Sequence, residues 1–178
     1  MAATVIINRL TGAGPTLTDI TSINTRANAE DAHSTAGTTN SILVPVAGTN
    51  YSYWVVTRLN VTAITAGTVD NVKWYTDGAN NLGTGVTMKA NQATAYTQAT
   101  GTAGTTGLQL TVGNYATVTT PVDAFTFTSG APLAVTGTTS ATGGFGNYVV
   151  YQIEVGTTAL SGATATETLT WKYDDTSS

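Results

Sequence analysis

Apolar residues along this chain recur mainly at every second position, the period of a half-buried β-strand, and the sustained runs begin near Ser41. Ile42, Val44 and Val46 alternate with Ser41 and Pro45, and a Gly-Thr-Asn turn leads into YSYWVVTRLNVTAI. In that long strand Tyr51, Tyr53, Val55, Leu59 and Val61 share one parity, and Ser52, Arg58, Asn60 and Thr62 share the other. The first set is therefore predicted to face a core. Trp54 and Val56 break the alternation. Two half-covered faces explain that, with Trp54 under a loop or at a subunit contact.

Further along, a strand around Val72 and Trp74 is followed by turn chemistry from Asp77 to Gly85 and a return strand through Val86 and Met88, which predicts a hairpin. Residues 99–107 are a low-complexity connection, after which Leu108, Leu110 and Val112 fall on one face. Phe125 and Phe127, then Leu133 and Val135, mark two more short strands, and TGTTSATGGFG reads as another exposed link. The clearest predicted element is a final hairpin. NYVVYQIEV sets Val149, Tyr151, Ile153 and Val155 on one face, and ETLTWKY does the same for Leu169, Trp171 and Tyr173. Matching core to core pairs Gln152 with Thr170 and Val150 with Lys172 on the outer face. The connection at 156–166 is long for a hairpin and is expected to be a contact loop.

The first forty residues differ. Residues 11–40 are small and polar without sustained period, apart from a possible helical turn near Asn28 to His33. Residues 1–40 are thus predicted to be an irregular N-terminal arm, with Val5, Ile6, Ile7 and Leu17 as anchors on neighbouring chains. Residues 41–178 are predicted to form one all-β domain, a β-sandwich of immunoglobulin-like or jelly-roll type, from nine or ten short strands separated by turns. No fixed-period repeat is present, which disfavours a solenoid or propeller.

Composition sharpens this reading. The length of 178 residues suits one core. Charged residues make up only 9% of the chain, against about 25% in ordinary soluble domains. Forty Thr and 19 Gly replace them, residue types suited to strands and turns. The net charge is −4, and the six bases Arg9, Arg26, Arg58, Lys73, Lys89 and Lys172 are scattered, so no nucleic-acid partner is expected. Without cysteine there is no disulfide framework and no thiolate metal site. The start MAATVIINRL lacks a basic segment and a long apolar run, and no stretch reaches the roughly 20 residues needed to cross a bilayer. A chain made in the cytosol, with no membrane partner, is the expectation.

Candidate chemistry is sparse. His33, the one histidine, neighbours Asp31 and Ser34, but triad members meet from rigid elements rather than within one polar stretch. Asp77, Asn80 and Asn81 offer oxygen ligands without the spaced acids and closing Glu of a calcium loop. Glu154 and Glu167 could flank a glycosidic bond, yet the predicted register points them to opposite faces. Trp74 and Trp171 fall on core parity, leaving Trp54 as the aromatic free for a sugar face or a subunit contact. Asn50 and Asn60 lie in glycosylation sequons that matter only in a secreted chain. No catalytic residue, metal ligand or cofactor is expected, and the chain is read as a non-enzyme.

The segments YSYWVVTRLNVT, VKWYTDGANNLGTGVTMK, PVDAFTFTSG, NYVVYQIEVG and ETLTWKYDDT resemble segments of virion structural proteins of tailed bacteriophages. The resemblance spans roughly residues 41–176 and carries no site motif. It implies a high-copy capsid decoration or other head or tail component, with the major capsid protein or other virion proteins as partners and a homo-oligomer, a trimer foremost, as the assembled form. A Thr-rich, charge-poor surface suits close neighbours, since it avoids like-charge repulsion and the entropy cost of ordering Lys. The alternative function is a carbohydrate-binding or adhesive module on a phage tail fibre or cell surface.

Overall fold

The computed structural model describes residues 2–35 and 39–176. Thirteen strands are present among them: β1 (Thr4–Thr11), β2 (Thr16–Asp19), β3 (Thr49–Tyr51), β4 (Val55–Ala63), β5 (Val69–Tyr75), β6 (Val86–Ala93), β7 (Gly101–Thr102), β8 (Thr106–Gly107), β9 (Val122–Asp123), β10 (Leu133–Ala134), β11 (Gly143–Gly144), β12 (Tyr148–Gly156) and β13 (Thr170–Asp175). The large antiparallel sheet runs β2-β1-β4-β12-β6-β9, with β11 added to β4 and β3 to β12. A smaller sheet, β10-β5-β13, packs against it, and β7 and β8 form a separate two-stranded ribbon. The expected all-β sandwich is the observed architecture.

Two cores flank the large sheet. Between the sheets, Val55, Leu59 and Val61 of β4, Met88 and Ala90 of β6, and Val149, Tyr151 and Val155 of β12 meet Val69, Val72 and Trp74 of β5. Trp74 is fully buried and meets the Phe127 ring edge-on at 6.1 Å. On the opposite face Tyr53, Trp54, Val56, Val150, Leu110, Tyr115 and Val118 form a second core beneath the connections around residues 94–118. β4 and β12 are thus covered on both faces, and Trp54 and Val56 break alternation because their side of the sheet is also an interior.

The predicted N-terminal arm needs correction. β1 pairs with β4 from Thr4↔Ala63 to Leu10↔Val56 and with β2 through a turn at Gly12, whose φ of 85° suits glycine. The strand escaped the pattern because Val5 and Ile7 pack on one core while Leu10 packs on the other, which erases a simple period of two. Arg9 seals this end. It is only 2% exposed, and its Nη1 donates to Thr25 Oγ1 and the Arg26 carbonyl, both at 2.6 Å. Burial lowers its pKa, opposed by the nearby Tyr151, Asp31 and Glu30. Asn28 to His33 is not helical: the Asn28 carbonyl accepts from Tyr53 N–H, and Ala29 N–H donates to the Asn40 carbonyl.

Both predicted hairpins are corrected as well. The Asp77 to Gly85 turn carries the chain from β5 in the small sheet to β6 in the large one. β12 pairs with β4 and β6, whereas β13 pairs with β5 and sets Trp171 opposite Trp74. The 156–166 connection is a crossing between sheets, for which its length is suited, since hairpin loops usually hold about two to five residues. Inward parity survives the change of partner: Leu169, Trp171 and Tyr173 still pack on the central core.

Close backbone approach fixes the β7–β8 ribbon. A Cβ on Gly107 would overlap the Ser52 carbonyl, so any side chain forces the ribbon away from the β3–β4 junction. Gly107→Ala is expected to destabilise the fold by about 1–3 kcal/mol, the usual cost of overpacking, with an unchanged denaturant slope in urea titrations.

Burial also predicts an alkaline limit. The Tyr115 hydroxyl donates to the Ala95 carbonyl and accepts from Thr97 N–H, and burial pushes its pKa up to about 12. Tyr96 and Tyr151 are also shifted upward, each first by burial. Folding therefore favours the neutral phenols. Their contribution is intact below the unfolded value of about 10 and is lost as pH rises from there towards the folded values. Tyrosinate absorbance should consequently appear together with unfolding above about pH 10; a smooth titration of these phenols in a protein that stays folded would contradict the burial described.

Candidate interaction surface

The exposed large apolar side chains include Leu43, Val44, Val46, Leu108 and Val112, and those of segment 41–48 lie beside the β7–β8 ribbon. Leu43 N–H donates to the Thr105 carbonyl at 3.2 Å, while the Leu43 carbonyl accepts from Asn50 Nδ2 at 2.8 Å. These bonds hold a segment that forms no strand, so the strand expected from the alternation of Ile42, Val44 and Val46 is corrected. Ile42 is half-buried, Leu43 is 51% exposed and Val46 is fully exposed. Pro45 was the signal, since it has no N–H for a ladder. The predicted Leu108, Leu110 and Val112 face splits likewise: Leu110 enters the second core, and the other two face outward.

Gln152 positions this corner from below. Its side chain is fully buried; Nε2 donates to the Ser52 carbonyl at 2.7 Å and the Leu108 carbonyl at 2.8 Å, and Oε1 accepts from Leu110 N–H at 2.6 Å. One side chain thereby ties β12 to both the β3–β4 junction and the loop that presents Leu108. The predicted outward pairing of Gln152 with Thr170 missed this role because the second core was not visible in the alternation.

The anticipated contact residues scatter. Val5 and Ile7 are half-buried against the central core, Ile6 is half-buried on the other face of β1, and Leu17 on β2 is 60% exposed. Trp54 is only 3% exposed, donates from Nε1 to the Thr97 carbonyl at 3.0 Å, and meets the Tyr115 ring at 5.4 Å. It is covered by its own chain, so its assignment as an interface residue is withdrawn.

The remaining polar candidates have structural partners. His33 Nδ1 lies 3.2 Å from Thr25 Oγ1, and burial first, then Arg9, lowers the His33 pKa. Asp31 accepts from Gly12 N–H. Asp77 and Asn80 accept from backbone N–H groups two residues on, the turn chemistry their types suggest. Glu154 accepts from Thr87 and Glu167 from Asn81 N–H, with no shared partner. Among the described residues no group of three or more His, Cys, Asp or Glu is placed to hold a metal ion. No helix among them is long and apolar enough to cross a membrane.

Every aromatic side chain is at least partly buried, whereas the exposed large apolar residues are all Leu, Ile or Val. Comparison with known proteins finds no matching family model, curated protein or solved structure.

Proposed function

We propose that this chain is a non-enzymatic virion structural protein, a capsid decoration protein that bridges neighbouring capsid subunits through its exposed aliphatic corner. The observation that carries the reading is the contrast just described: the exposed large apolar side chains are aliphatic, while every aromatic one is at least partly buried. Sugar recognition stacks a pyranose on an open ring face, and no aromatic side chain here is more than partly exposed; protein contacts use aliphatic area surrounded by polar residues. The charge-poor, Thr-rich surface and the resemblance of its strands to tailed-phage virion proteins support the same reading. In this role the chain is made in the host cytoplasm and carried on the particle as a symmetric homo-oligomer, a trimer, whose repeated contacts raise avidity for the lattice.

Immunogold imaging of purified particles tests the location. Val46→Asp tests the surface: the side chain is fully exposed, so the thermal midpoint should hold, while retention on particles falls at least tenfold. Retention of the variant at the wild-type level would remove this corner from the interface.

A further inference from the structure

A concave feature lies beside the second core, near the β2 edge of the large sheet. It encloses about 230 Å³ and is lined by Asn8 and Leu10 of β1, Leu17 of β2, Arg58 and Asn60 of β4, and Tyr148 of β12, among others. Strand register explains the convergence. Asn8 stands directly opposite Arg58, Leu10 opposite Leu17, and Asn60 follows Arg58 by two on the same face. No acidic residue lines it.

Arg58 is held in place before any ligand arrives. Its Nε donates to the Gly146 carbonyl at 3.0 Å, its Nη1 donates to Tyr148 Oη at 3.2 Å, and its guanidinium carbon sits 4.7 Å from the Tyr148 ring centroid. Nη2 is left without a partner among the described residues. Asn8 is 5% exposed, yet its side-chain amide has no hydrogen-bond partner among the described residues and its side chain lines the pocket. The amide is not among the sealed, unpartnered polar atoms of the interior; it opens into the pocket, where it can donate to a ligand. The Asn60 amide also lacks a side-chain partner there.

We propose that this pocket receives the carboxylate of an Asp or Glu side chain from a partner protein. Arg58 supplies the charge and planar donors, Asn8 and Asn60 supply amide donors, and Leu10 and Leu17 cover the methylene stem. Pockets for drug-sized ligands run to about 300–1,000 Å³, so this smaller volume fits one side chain. Because Arg58 is already fixed, less side-chain entropy is lost on binding. A protein source for the carboxylate rests on the proposed assembly role. The pocket itself does not, and its test uses free compounds.

Nitrogen–proton correlation spectra of the whole chain, titrated with N-acetylglutamate and N-acetylglutamine, each capped as its α-methylamide, and with glucuronate and inorganic phosphate, decide the matter. N-acetylglutamate is expected to move the Arg58 Nε–H and the Asn8 and Asn60 side-chain amides saturably. The glutamine compound, isosteric and uncharged once its α-carboxyl is capped, should bind at least tenfold more weakly, as should the glutamate compound to Arg58→Gln. Added salt should weaken the complex. Absence of saturable shifts, or equal binding of the glutamine compound, overturns the proposal without touching the particle-retention result. Glucuronate or phosphate binding as tightly as N-acetylglutamate overturns the protein source and reassigns the pocket to acidic sugars or phosphates. Should Arg58→Gln not fold, the comparison of the two N-acetyl compounds on the unaltered chain still decides.

Discussion

Trp54→Ala is expected to lower the unfolding free energy by about 3–5 kcal/mol, the cost of emptying an aromatic core site. The large value follows from three observations: the side chain is almost wholly buried, its ring packs on Tyr115, and its Nε1–H satisfies the Thr97 carbonyl. Truncation removes all three and orphans that carbonyl. Denaturant titration should show a large fall in midpoint, and wherever the variant remains folded, its retention on particles should match wild type. A stable variant that loses retention would return Trp54 to the interface. Trp171→Ala should cost less, because Trp171 is only partly buried at the edge of the small sheet.

The contrast between these two tryptophans shows which parts of the fold the alternation could carry. Parity placed Val55, Leu59, Val61, Trp74, Val149, Tyr151 and Trp171 towards the central core correctly, because a strand's faces are fixed by its own backbone. Partners are not. β12 and β13 were paired with each other on matching parity, but parity is equally satisfied when two strands lie in facing sheets and point at one another across the core. β1 and segment 41–48 were exchanged for a related reason. Val5 to Leu10 feeds two cores and shows no period, whereas Ile42, Val44 and Val46 show a period without a ladder to join, since Pro45 interrupts them. Segment 41–48 therefore reads as a strand in the sequence, although it joins no ladder. The Arg58 pocket was illegible at sequence level, because Asn8 and Arg58 are fifty residues apart and meet only through the β1–β4 register.

Gln152 carries the second large expectation. Replacing it with Leu keeps comparable bulk but strands the Ser52 carbonyl and Leu110 N–H in the interior, and removes the bond to the Leu108 carbonyl. Each buried group left unsatisfied costs about 1–3 kcal/mol, so Gln152→Leu should lose about 2–4 kcal/mol, even though Leu is the more apolar residue. The loop bearing Leu108 should loosen first, which hydrogen exchange at Leu110 N–H would report as lost protection before global unfolding. Gln152→Glu separates hydrogen bonding from volume. Its carboxyl would stand between two carbonyl oxygens in a dry site, which favours the protonated form and raises its folded pKa. A raised folded pKa means that the variant's stability is intact below the unfolded value of about 4.3 and declines as pH rises through the folded one. Relative to wild type at each pH, Gln152→Glu should therefore be closest to normal in acid and weakest at neutrality. A constant deficit across pH would show that packing, rather than the three hydrogen bonds, is what Gln152 contributes.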